Sequence, residues 1–374
     1  MAVDSSIQRI ARLTPLGAIL ALIDSRVDAV QPRQCPLASA RGRTLAEDIA
    51  VAQLPPAPIA LRDGFAVEAG AIADASPYSP VPLPSKPPRV DAGEALPSGT
   101  DAVAPLDAVN ERGNRAEAVA MVTPGEGVLA AGGDAGPHGP LRRAGQRLRD
   151  LDVAVMAAAG ITDVTVRAPR IRVARGSESE TPVIAGALDA LAQAATAAGC
   201  TVLGTEREEG GLDRALADDR ADAVIAVGGT GSGRRDAAVR TLARLGRIEA
   251  HGIAISPGET AALGFVGARP VLLAPGRLDA ALAIWLLIGR HLVAKLAGGD
   301  VVDAPMTLPL KRKVTSTIGL TELIAVACAA GVAEPLASGY LSLQSLARSD
   351  GWIVVPADRE GFAAGTPVAV RAWP

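Results

Sequence analysis

A glycine-rich loop is the part of this sequence whose residue types and spacing could bind an anion. The stretch DAVIAVGGTGSGRRDAAV spans residues 222–239 and places the loop between an apolar run and an expected helix from Asp236. Glycine lets the backbone approach an anion, and the free N–H groups of a helix start point toward it. Lysine does not follow the loop, and the spacing fits the dinucleotide fingerprint poorly, so we predict a phosphate cradle or, alternatively, a tight structural turn. The candidate binding residues are Gly228, Gly229, Thr230, Gly231, Ser232, Gly233 and Arg235.

Two shorter segments are further candidates for polar chemistry. In LAPGRLDAA, Pro275 and Gly276 lie between an expected strand and an expected helix, where N–H groups could face an anion. An ordinary strand-to-helix turn, with Asp279 in the first helical turn, explains that segment equally well. In LRDGFAV, Asp63 precedes a glycine, and because Asp-Gly is common turn chemistry, a turn is the simpler explanation.

The alternation of apolar runs with amphipathic segments over residues 168–298 predicts how the glycine loop is positioned. Strands that alternate with helices indicate a parallel sheet, and such sheets bind ligands at the carboxyl ends of their strands. The expected strands are 171–173, 201–203, 222–227 and 271–273, and the expected helices are 182–198, 212–219, 236–245 and 278–296.

The flanking segments have a different character. The first fifty residues are expected to be helical, with one helix from Pro15 and a second amphipathic stretch at 37–49. Proline and glycine are dense from 70 to 150, which indicates a small β domain with short strands. The further expectations are short strands at 103–104, 119–121 and 128–129, a helix at 151–159 that ends at Gly160, and a small β domain at 305–374.

Composition excludes several classes of protein. The 374 residues are 49% hydrophobic and 21% charged, which is typical of a globular chain with several domains. Aromatic residues make up 2% and the net charge is −3, so neither a nucleic-acid surface nor attraction to an anionic membrane is expected. The only lysines are Lys86, Lys295, Lys311 and Lys313, so arginine supplies nearly all of the 37 basic residues.

Neither a metal cluster nor a disulfide framework is expected, because the cysteines and histidines are scattered along the chain. They are Cys35, Cys200, Cys328, His138, His251 and His291. The polar N-terminus lacks the apolar core of a secretory signal, and the apolar run 280–289 is too short to span a bilayer. We therefore expect a cytoplasmic protein.

Several segments, in order along most of the chain, resemble the molybdopterin molybdenumtransferase family, which includes MoeA and the E domain of gephyrin. LPPAPIALRDGFAV resembles the family segment LPPFDNSAMDGYAV, and AGEALPSGTDAV resembles TGAPLPPGADAV. GGTGSGRRD stands where the family has GGVSVGxxD, and APGRLDAALAIWLLIGRHLVAKLAG stands where it has LPGNPVSA and a long helix. LTPLGAIL and VMAAAGITDVTVRAPRIRV are similar to the opening helix and to the entry into the third domain.

The resemblance implies a multidomain α/β fold. Its parts are an N-terminal helical segment, 1–50, to which 140–168 returns; a small β domain, 51–139; a three-layer α/β molybdopterin-binding domain with a parallel-rich sheet, 169–300; and a C-terminal β-barrel-like domain, 301–374. The family forms elongated homodimers, takes adenylylated molybdopterin and molybdate, and hydrolyses the adenylate with Mg²⁺ to release AMP and the molybdenum cofactor. Other proteins of cofactor biosynthesis, or a molybdoenzyme, are then possible partners.

The resemblance also assigns roles to four carboxylates. Asp63 matches the aspartate of DGYAV, Asp134 that of the GEDI segment, Glu178 the glutamate of TGDEL, and Asp236 the aspartate that closes GGVSVGxxD. The implied roles are catalytic for all four, with Asp236 and Glu178 as Mg²⁺ ligands, since this chemistry needs oxygen donors.

The chain departs from the family at its anion-binding positions. TGDEL is replaced by ARGSES, so Arg175 and Ser177 stand for the threonine and aspartate. KLAIKPGKP is replaced by GIAISPGET, so the three lysines become Gly252, Ser256 and Glu259. Arginine could compensate, because its planar fork suits phosphate, but from other points of the chain. The arginines considered for this role are Arg234, Arg235, Arg269 and Arg277.

Two functions remain open from the sequence. One is an enzyme of molybdenum cofactor maturation with a rearranged anion site and much weakened hydrolysis. The other is a binding, delivery or scaffold protein that recognises molybdopterin without inserting metal. In the tail, KRKVTSTIGLTE has a KxxSxxGxxE pattern, and the basic run 311–313 is either a solvated strand edge or an anion site. By analogy with the family, residues 338–342 and 350–351 could line the cleft of a dimer.

Overall fold

The computed structural model describes residues 10, 12–113, 115–137, 139–178, 180–233, 236–301 and 303–374. Its helices are α1 (Leu16–Arg26), α2 (Asp150–Ala158), α3 (Pro182–Ala197), α4 (Gly211–Ala217), α5 (Ala238–Leu245), α6 (Leu278–Ile284), α7 (Arg290–Leu296) and α8 (Leu343–Arg348). A π-helical segment, Trp285–Gly289, joins α6 to α7, so that the expected helix 278–296 is continuous.

Strands form most of the remaining regular structure. The first ten are β1 (Arg33–Pro36), β2 (Thr44–Leu45), β3 (Ile59–Ala60), β4 (Gly64–Val67), β5 (Val81–Leu83), β6 (Arg89–Val90), β7 (Ala102–Ala104), β8 (Val109–Arg112), β9 (Arg115–Ala118) and β10 (Val128–Leu129). The others are β11 (Asp163–Arg167), β12 (Arg170–Arg175), β13 (Thr201–Glu206), β14 (Ala223–Val227), β15 (Arg247–His251), β16 (Ile255–Ser256), β17 (Ala262–Val266), β18 (Arg269–Ala274), β19 (Met306–Pro309), β20 (Val314–Thr315), β21 (Thr321–Ala329), β22 (Val332–Ala337), β23 (Gly351–Val355), β24 (Gly361–Phe362) and β25 (Pro367–Ala372).

The chain folds into two units. The first comprises Met1–Glu47, Gly145–Val153 and Thr162–Pro374, and the second comprises Asp48–Ala144 and Ala154–Ile161. The finer domain boundaries expected from the sequence stay predictions. Within the described residues, no helix is both long enough and apolar enough to cross a membrane.

The second unit is built from short antiparallel strands. β4 pairs with β6 and β7, β9 pairs with β5 and β8, and β10 pairs with β3. Small apolar side chains such as Ala102 and Ala104 pack with Phe65 and Ile72 in one buried cluster. The strands expected at 103–104 and 128–129 are present, whereas 119–121 is not a strand because β9 ends at Ala118.

The main sheet of the first unit has the order β13-β12-β14-β18-β17-β15. β13, β12, β14 and β18 run parallel, as the sequence predicts. β17 and β15 are antiparallel to their neighbours, so the sheet is mixed. β17 and β18 form a hairpin in which Val266 pairs with Arg269 across a short turn, and Gly267 supplies the positive φ of +62° that the turn needs.

The two faces of this sheet are covered by different helices. Ile171 and Val173 pack with the buried side of α3, and the next residue, Ala174, packs with α4 and α5 on the opposite face. This alternation follows from the two-residue period of a strand. α3 begins where Thr181 Oγ1 accepts a hydrogen bond from the N–H of Ile184 at 3.3 Å, with proline at the first helical position.

Two expectations about helices are wrong. Residues 37–49 contain a 3₁₀ turn, Leu37–Ser39, and strand β2 in place of a second helix, because β1 and β2 both pair with β11. Helix α5 begins at Ala238, not at Asp236, so the glycine loop continues past Asp236 before the helix starts.

The C-terminal part of the first unit is a β domain. β16, β21, β23, β25 and β19 form one sheet, to which β22 adds through β21, while β20 and β24 form a separate pair. Among the described strands, the hydrogen-bonded ladders do not form a closed barrel, and an isolated bridge between Leu310 and Ala333 links the end of β19 to β22. β16 belongs to the segment after β15 and pairs in parallel with β21, which joins the C-terminal sheet to the α/β part.

A buried ion cluster lies beside β12 and β13 of the main sheet. Arg172 is 8% exposed and is paired with Asp218 and with Glu206, the latter at 3.3 Å. Arg220 also binds Asp218, with its Nε 2.8 Å from Oδ1. Hydrogen bonds from Arg220 and Arg172 hold the pKa of Asp218 well below the ordinary value of 3.8.

We expect Asp218→Asn to lower the free energy of unfolding by about 2 kcal/mol at pH 7, because it leaves buried Arg172 with Glu206 alone. The pKa of folded Asp218 is lowered, so its contribution is complete above pH 3.8 and is lost as the pH falls below that value. The difference in the free energy of unfolding between parent and variant should therefore become smaller in acid. Urea denaturation across pH measures it, with exposed Asp219→Asn as the matched control; an equal loss in both variants would contradict the assignment.

Candidate anion-binding site

Three loops of the first unit meet at one edge of the main sheet. They follow β12, β14 and β18, which are adjacent and parallel, so their carboxyl ends lie together. The loops carry Glu178, the glycine loop from Gly228, and the Pro275-Gly276 turn.

Backbone packing explains the glycines at the start of the loop. Gly228 and Gly229 have φ values of +91° and +73°, which glycine adopts at little cost. A Cβ at Gly229 would lie 2.3 Å from the carbonyl oxygen of Gly176, and one at Gly176 would lie 2.5 Å from that of Gly228. A Cβ at Gly276 would lie 3.4 Å from Gly228 Cα, so the three loops approach one another through bare backbone.

The following residues of the loop are held by side chains. Thr230 is 2% exposed, its Oγ1 lies 3.0 Å from Thr260 Oγ1, and its carbonyl oxygen is 2.9 Å from His251 Nε2. Thr230 therefore anchors the loop, and its hydroxyl faces Thr260. The same contact places the segment 256–260, where the resembling family has lysines, beside the glycine loop.

Asp236 closes the loop on itself. Its Oδ2 accepts a hydrogen bond from the N–H of Gly233 at 2.7 Å, and a Cβ at Gly231 would lie 2.8 Å from the same oxygen. Asp236 also forms a β-bridge with Ser177 in the loop after β12. The carboxylate thus has a structural role in shaping residues 231–233.

The expected magnesium ligands do not form a metal-binding group in this structure. Glu178 is exposed, and one oxygen of Asp236 is engaged by Gly233. Over the described ranges, no group of three or more histidine, cysteine, aspartate or glutamate residues is placed to hold a metal ion. The donor set present does not by itself fit Mg²⁺, and we derive no step through it.

The turn after β18 is fixed by a buried carboxylate. Asp279 is 2% exposed. Its Oδ1 accepts hydrogen bonds from Arg277 Nε at 3.0 Å and from the N–H of Ala280 at 2.8 Å. Its Oδ2 accepts from Arg277 Nη2 at 2.6 Å and from the N–H of Leu341 at 2.9 Å. Arg277 also lies over the Tyr340 ring, 4.9 Å from its centroid. Asp279 therefore ties this turn to the C-terminal β domain.

The arginines considered as lysine replacements differ in position. Arg277 is at the site, and its hydrogen bond with Asp279 raises the pKa of its guanidinium, with smaller contributions from the charges of Asp279 and Glu259. Arg269 is not at the site: it begins β18 at the opposite edge of the sheet and donates to the carbonyl oxygens of Leu216 and Asp218. Arg234 and Arg235 lie outside the described residues.

The three lysine positions of the family are not equivalent here. Gly252 has φ +93°, and a Cβ there would lie 2.3 Å from Ile10 Cγ2. Ser256 is buried in β16, and Glu259 Oε2 accepts a hydrogen bond from the N–H of Gly258 at 3.1 Å. Residue 252 therefore has no space for a side chain, whereas 256 and 259 do carry one.

Two of the expected catalytic residues belong to the second unit. Asp63 is exposed, and its Oδ1 accepts a hydrogen bond from the N–H of Ala92 at 2.9 Å. Asp134 is exposed, and its N–H donates to the carbonyl oxygen of Leu54 at 3.0 Å. The bond between Asp63 and Ala92 joins two segments that resemble the family, one by DGFAV and the other by AGEALP.

The remaining candidates have structural partners. Lys311 pairs with Glu334 at 2.7 Å and Arg312 donates to the carbonyl oxygen of Pro335, so the basic run lies along a strand edge. Asp350 Oδ2 accepts a hydrogen bond from the N–H of Cys328 at 2.7 Å. Burial raises the pKa of the Cys200 thiol to about 12, which makes it unreactive at neutral pH. His138 lies outside the described residues.

From the sequence, neither Tyr340 nor Arg175 could be assigned to this edge of the sheet. Tyr340 was not connected with Arg277, because only the tertiary fold brings the C-terminal domain to the turn after β18. Arg175 was noted as the loss of a threonine, although a charged residue at the end of an apolar strand is itself a signal of a buried polar site.

Comparisons with known proteins agree with this architecture. The chain matches the MoeA N-terminal region (domain I and II) over residues 2–160, the probable molybdopterin binding domain over 172–295, and the MoeA C-terminal region (domain IV) over 307–373. It is 26% identical over 381 residues to the molybdopterin molybdenumtransferase of Synechococcus elongatus, covering 90% of this chain and 93% of the relative. It is likewise 26% identical over 393 residues to molybdopterin molybdenumtransferase 2 of Mycobacterium tuberculosis, with 91% and 95% covered.

A solved structure supports the same assignment. The molybdopterin biosynthesis MoeA protein of Pyrococcus horikoshii superimposes with a TM-score of 0.77 and 26% sequence identity, covering 97% of this chain and 100% of the other. Matching models thus account for nearly the whole chain, and the fold agrees from end to end. The chain therefore belongs to the MoeA family of molybdenum cofactor biosynthesis proteins.

Proposed function

We propose that this protein binds molybdopterin, or its adenylylated form, with the phosphate at the glycine loop 228–236. The observation that supports the proposal is the meeting of three loops through bare backbone at the carboxyl edge of the parallel strands. Ligands of parallel sheets bind at this edge, where the carboxyl ends of the strands and the starts of the following helices lie together. Pro275 and Gly276 form the neighbouring wall of this site.

The proposal has a catalytic and a non-catalytic form. In the catalytic form, molybdate is inserted and AMP is released, with Asp63, Asp134, Glu178 and Asp236 as the catalytic carboxylates and Mg²⁺ as a cofactor, all on the family resemblance. In the other form, the protein binds or delivers molybdopterin without turnover. Glu259 favours the second, because it places a carboxylate beside the glycine loop where a lysine would attract anions.

The glycine loop is tested by Gly231→Asp. Gly231 has an ordinary φ, so the new carboxylate enters without backbone strain, but it lies against Asp236 and should repel the phosphate. We expect calorimetry to show molybdopterin binding weakened at least about tenfold. Gly231→Ala adds the Cβ without the charge, and Gly186→Asp adds the charge on open helix surface. Parent-like binding by Gly231→Asp would remove the loop from the site.

We further propose that the protein is a cytoplasmic homodimer without a buried metal of its own. The proposal follows from the family resemblance and from the scattered cysteines and histidines. Light scattering at micromolar concentration should give about twice the monomer mass of 37.8 kDa. A monomer, or stoichiometric zinc retained through purification, would contradict the respective half of this prediction.

A further inference from the structure

Arg175 is a buried cation that lacks a full set of partners. It ends β12, its side chain is 7% exposed, and its Nε, like those of Arg172 and Arg269, has no hydrogen-bond partner in the described part of the chain. In the same part of the chain, Arg175 forms an ion pair with Glu180, in which Arg175 Nη1 lies 3.6 Å from Glu180 Oε2. The side chain of Glu180 is 45% exposed. Buried guanidinium groups normally have close carboxylates and satisfied donors, because desolvation is costly.

The position of Arg175 is next to the glycine loop. Arg175 pairs with Val227, the residue before Gly228, and the following Gly176 donates its N–H to the carbonyl oxygen of Val227 at 2.9 Å. Gly176 in turn touches the backbone of Gly228 and Gly229. The backbone of Arg175 therefore lies one residue away from the closest approach of two of the three loops.

The strand period sets the side of the loop that Arg175 faces. Its side chain shares the face of Ile171 and Val173, which pack against α3. Ile184, in the first turns of α3, lies 3.6 Å from the Cβ positions of both Gly228 and Gly276. The start of α3, the glycine loop and Arg175 thus converge, and the partner of Arg175, Glu180, immediately precedes the Thr181 cap of α3.

We propose that Arg175 is the anion-binding cation of this site and takes a tetrahedral oxyanion, phosphate or molybdate, in exchange for Glu180. The inference rests on the proposed function and names the charge that recognises its ligand. An oxyanion at this site requires such a charge from another residue, because the family's lysine positions are occupied here by Gly252, Ser256 and Glu259. A planar guanidinium fork can donate two parallel hydrogen bonds to an oxyanion.

The test is calorimetry on the full chain with inorganic phosphate and with molybdate in separate titrations, which distinguishes the two oxyanions. We expect Arg175→Gln to weaken binding of the preferred oxyanion at least about tenfold, and Arg175→Lys to be intermediate. Exposed Arg244→Gln, on α5, is the control for the loss of a positive charge and should bind like the parent. Equal binding by parent and Arg175→Gln, or no oxyanion binding by the parent, overturns the inference.

A second variant acts in the opposite direction and does not remove a buried group. Glu180→Gln removes the competing carboxylate and should strengthen oxyanion binding several-fold; unchanged or weaker binding overturns the proposal even if Arg175→Gln fails to fold.

Titration of the same variants with molybdopterin distinguishes a failure of this inference from a failure of the proposed function. If Gly231→Asp loses molybdopterin while Arg175→Gln retains molybdopterin and both oxyanions, only the role of Arg175 fails. If Arg175 governs oxyanion binding in a protein that does not bind molybdopterin, only the proposed function fails.

Discussion

Asp279→Ala should lower the free energy of unfolding by about 3 kcal/mol at neutral pH. The carboxylate is buried and accepts four hydrogen bonds, one of them from the buried N–H of Leu341. Truncation leaves that donor without a partner, and a lost partner costs more than the net strength of the bond. Half-exposed Arg277 can turn to solvent, which keeps the loss at the lower end for a buried pair.

Urea denaturation measures this effect. The matched control is Asp300→Ala, because this aspartate lies after the end of α7 and is exposed to solvent. The control should lie within about 0.5 kcal/mol of the parent. Asp279→Asn is informative as well, because it keeps the shape but points an amide N–H₂ at groups that donate. Comparable stabilities of Asp279→Ala and Asp300→Ala would mean that Asp279 does not tie the turn to the C-terminal β domain.

The alternation of strands and helices over residues 168–298 could be read from the sequence because each element carries its own local signal. α3 has a threonine cap, proline at its first position and a glycine after its end, and it lies within a residue of its predicted range. β15 and β17 could not be found in the same way. Arg247–His251 mixes charged and apolar residues, and its strand structure depends on pairing with β17 across the sheet.

The predicted helix at 37–49 failed for a related reason. Its pattern is amphipathic, but β1 and β2 gain a partner in β11, which is more than a hundred residues away in the sequence. Tertiary pairing of this kind overrides a weak local propensity. The mixed main sheet has the same origin, since the direction of a strand depends on distant partners.

The glycine loop was predictable because glycine, unlike most residues, reports backbone geometry directly. Gly228 and Gly229 do have positive φ, and their close contacts explain the absence of Cβ atoms. The position of Arg269 was not predictable from charge alone, because the direction of β18 places it at the other edge of the sheet. The burial of Arg175 was likewise not predictable from the sequence, because it depends on the packing of α3 against β12.

Molybdate-dependent release of AMP from adenylylated molybdopterin should be about 10²–10³-fold slower than for a family member with all its lysines. Gathering molybdate and a phosphate in one site needs fixed cations, and loss of one strong donor can cost that factor in rate. Here Ser256 and Glu259 replace two of those cations beside Thr260, which contacts the glycine loop. Glu259 reverses the sign of the charge at its position.

Restoration of charge is the direct test, and the structure decides which positions can be used. Gly252→Lys is unsuitable, because φ is +93° and Ile10 occupies the space of the Cβ. Ser256→Lys would place an ammonium in a buried strand, and because Ser256 is in register with Glu322 on β21, which is 7% exposed, a carboxylate would lie beside it. Glu259→Lys exchanges one long side chain for another.

The double variant Ser256→Lys with Glu259→Lys should therefore release AMP at least about tenfold faster than the parent, since it restores cations where transition-state charge develops. Glu208→Lys, at an 88% exposed position of the same unit, makes the same charge reversal elsewhere and should leave the rate unchanged. Turnover by the parent equal to that of the Synechococcus elongatus relative in the same assay would refute the expected loss. It would then assign the compensating charge to arginines such as Arg277, which lies at the site, and the catalytic form of the proposed function would stand without the family's lysines.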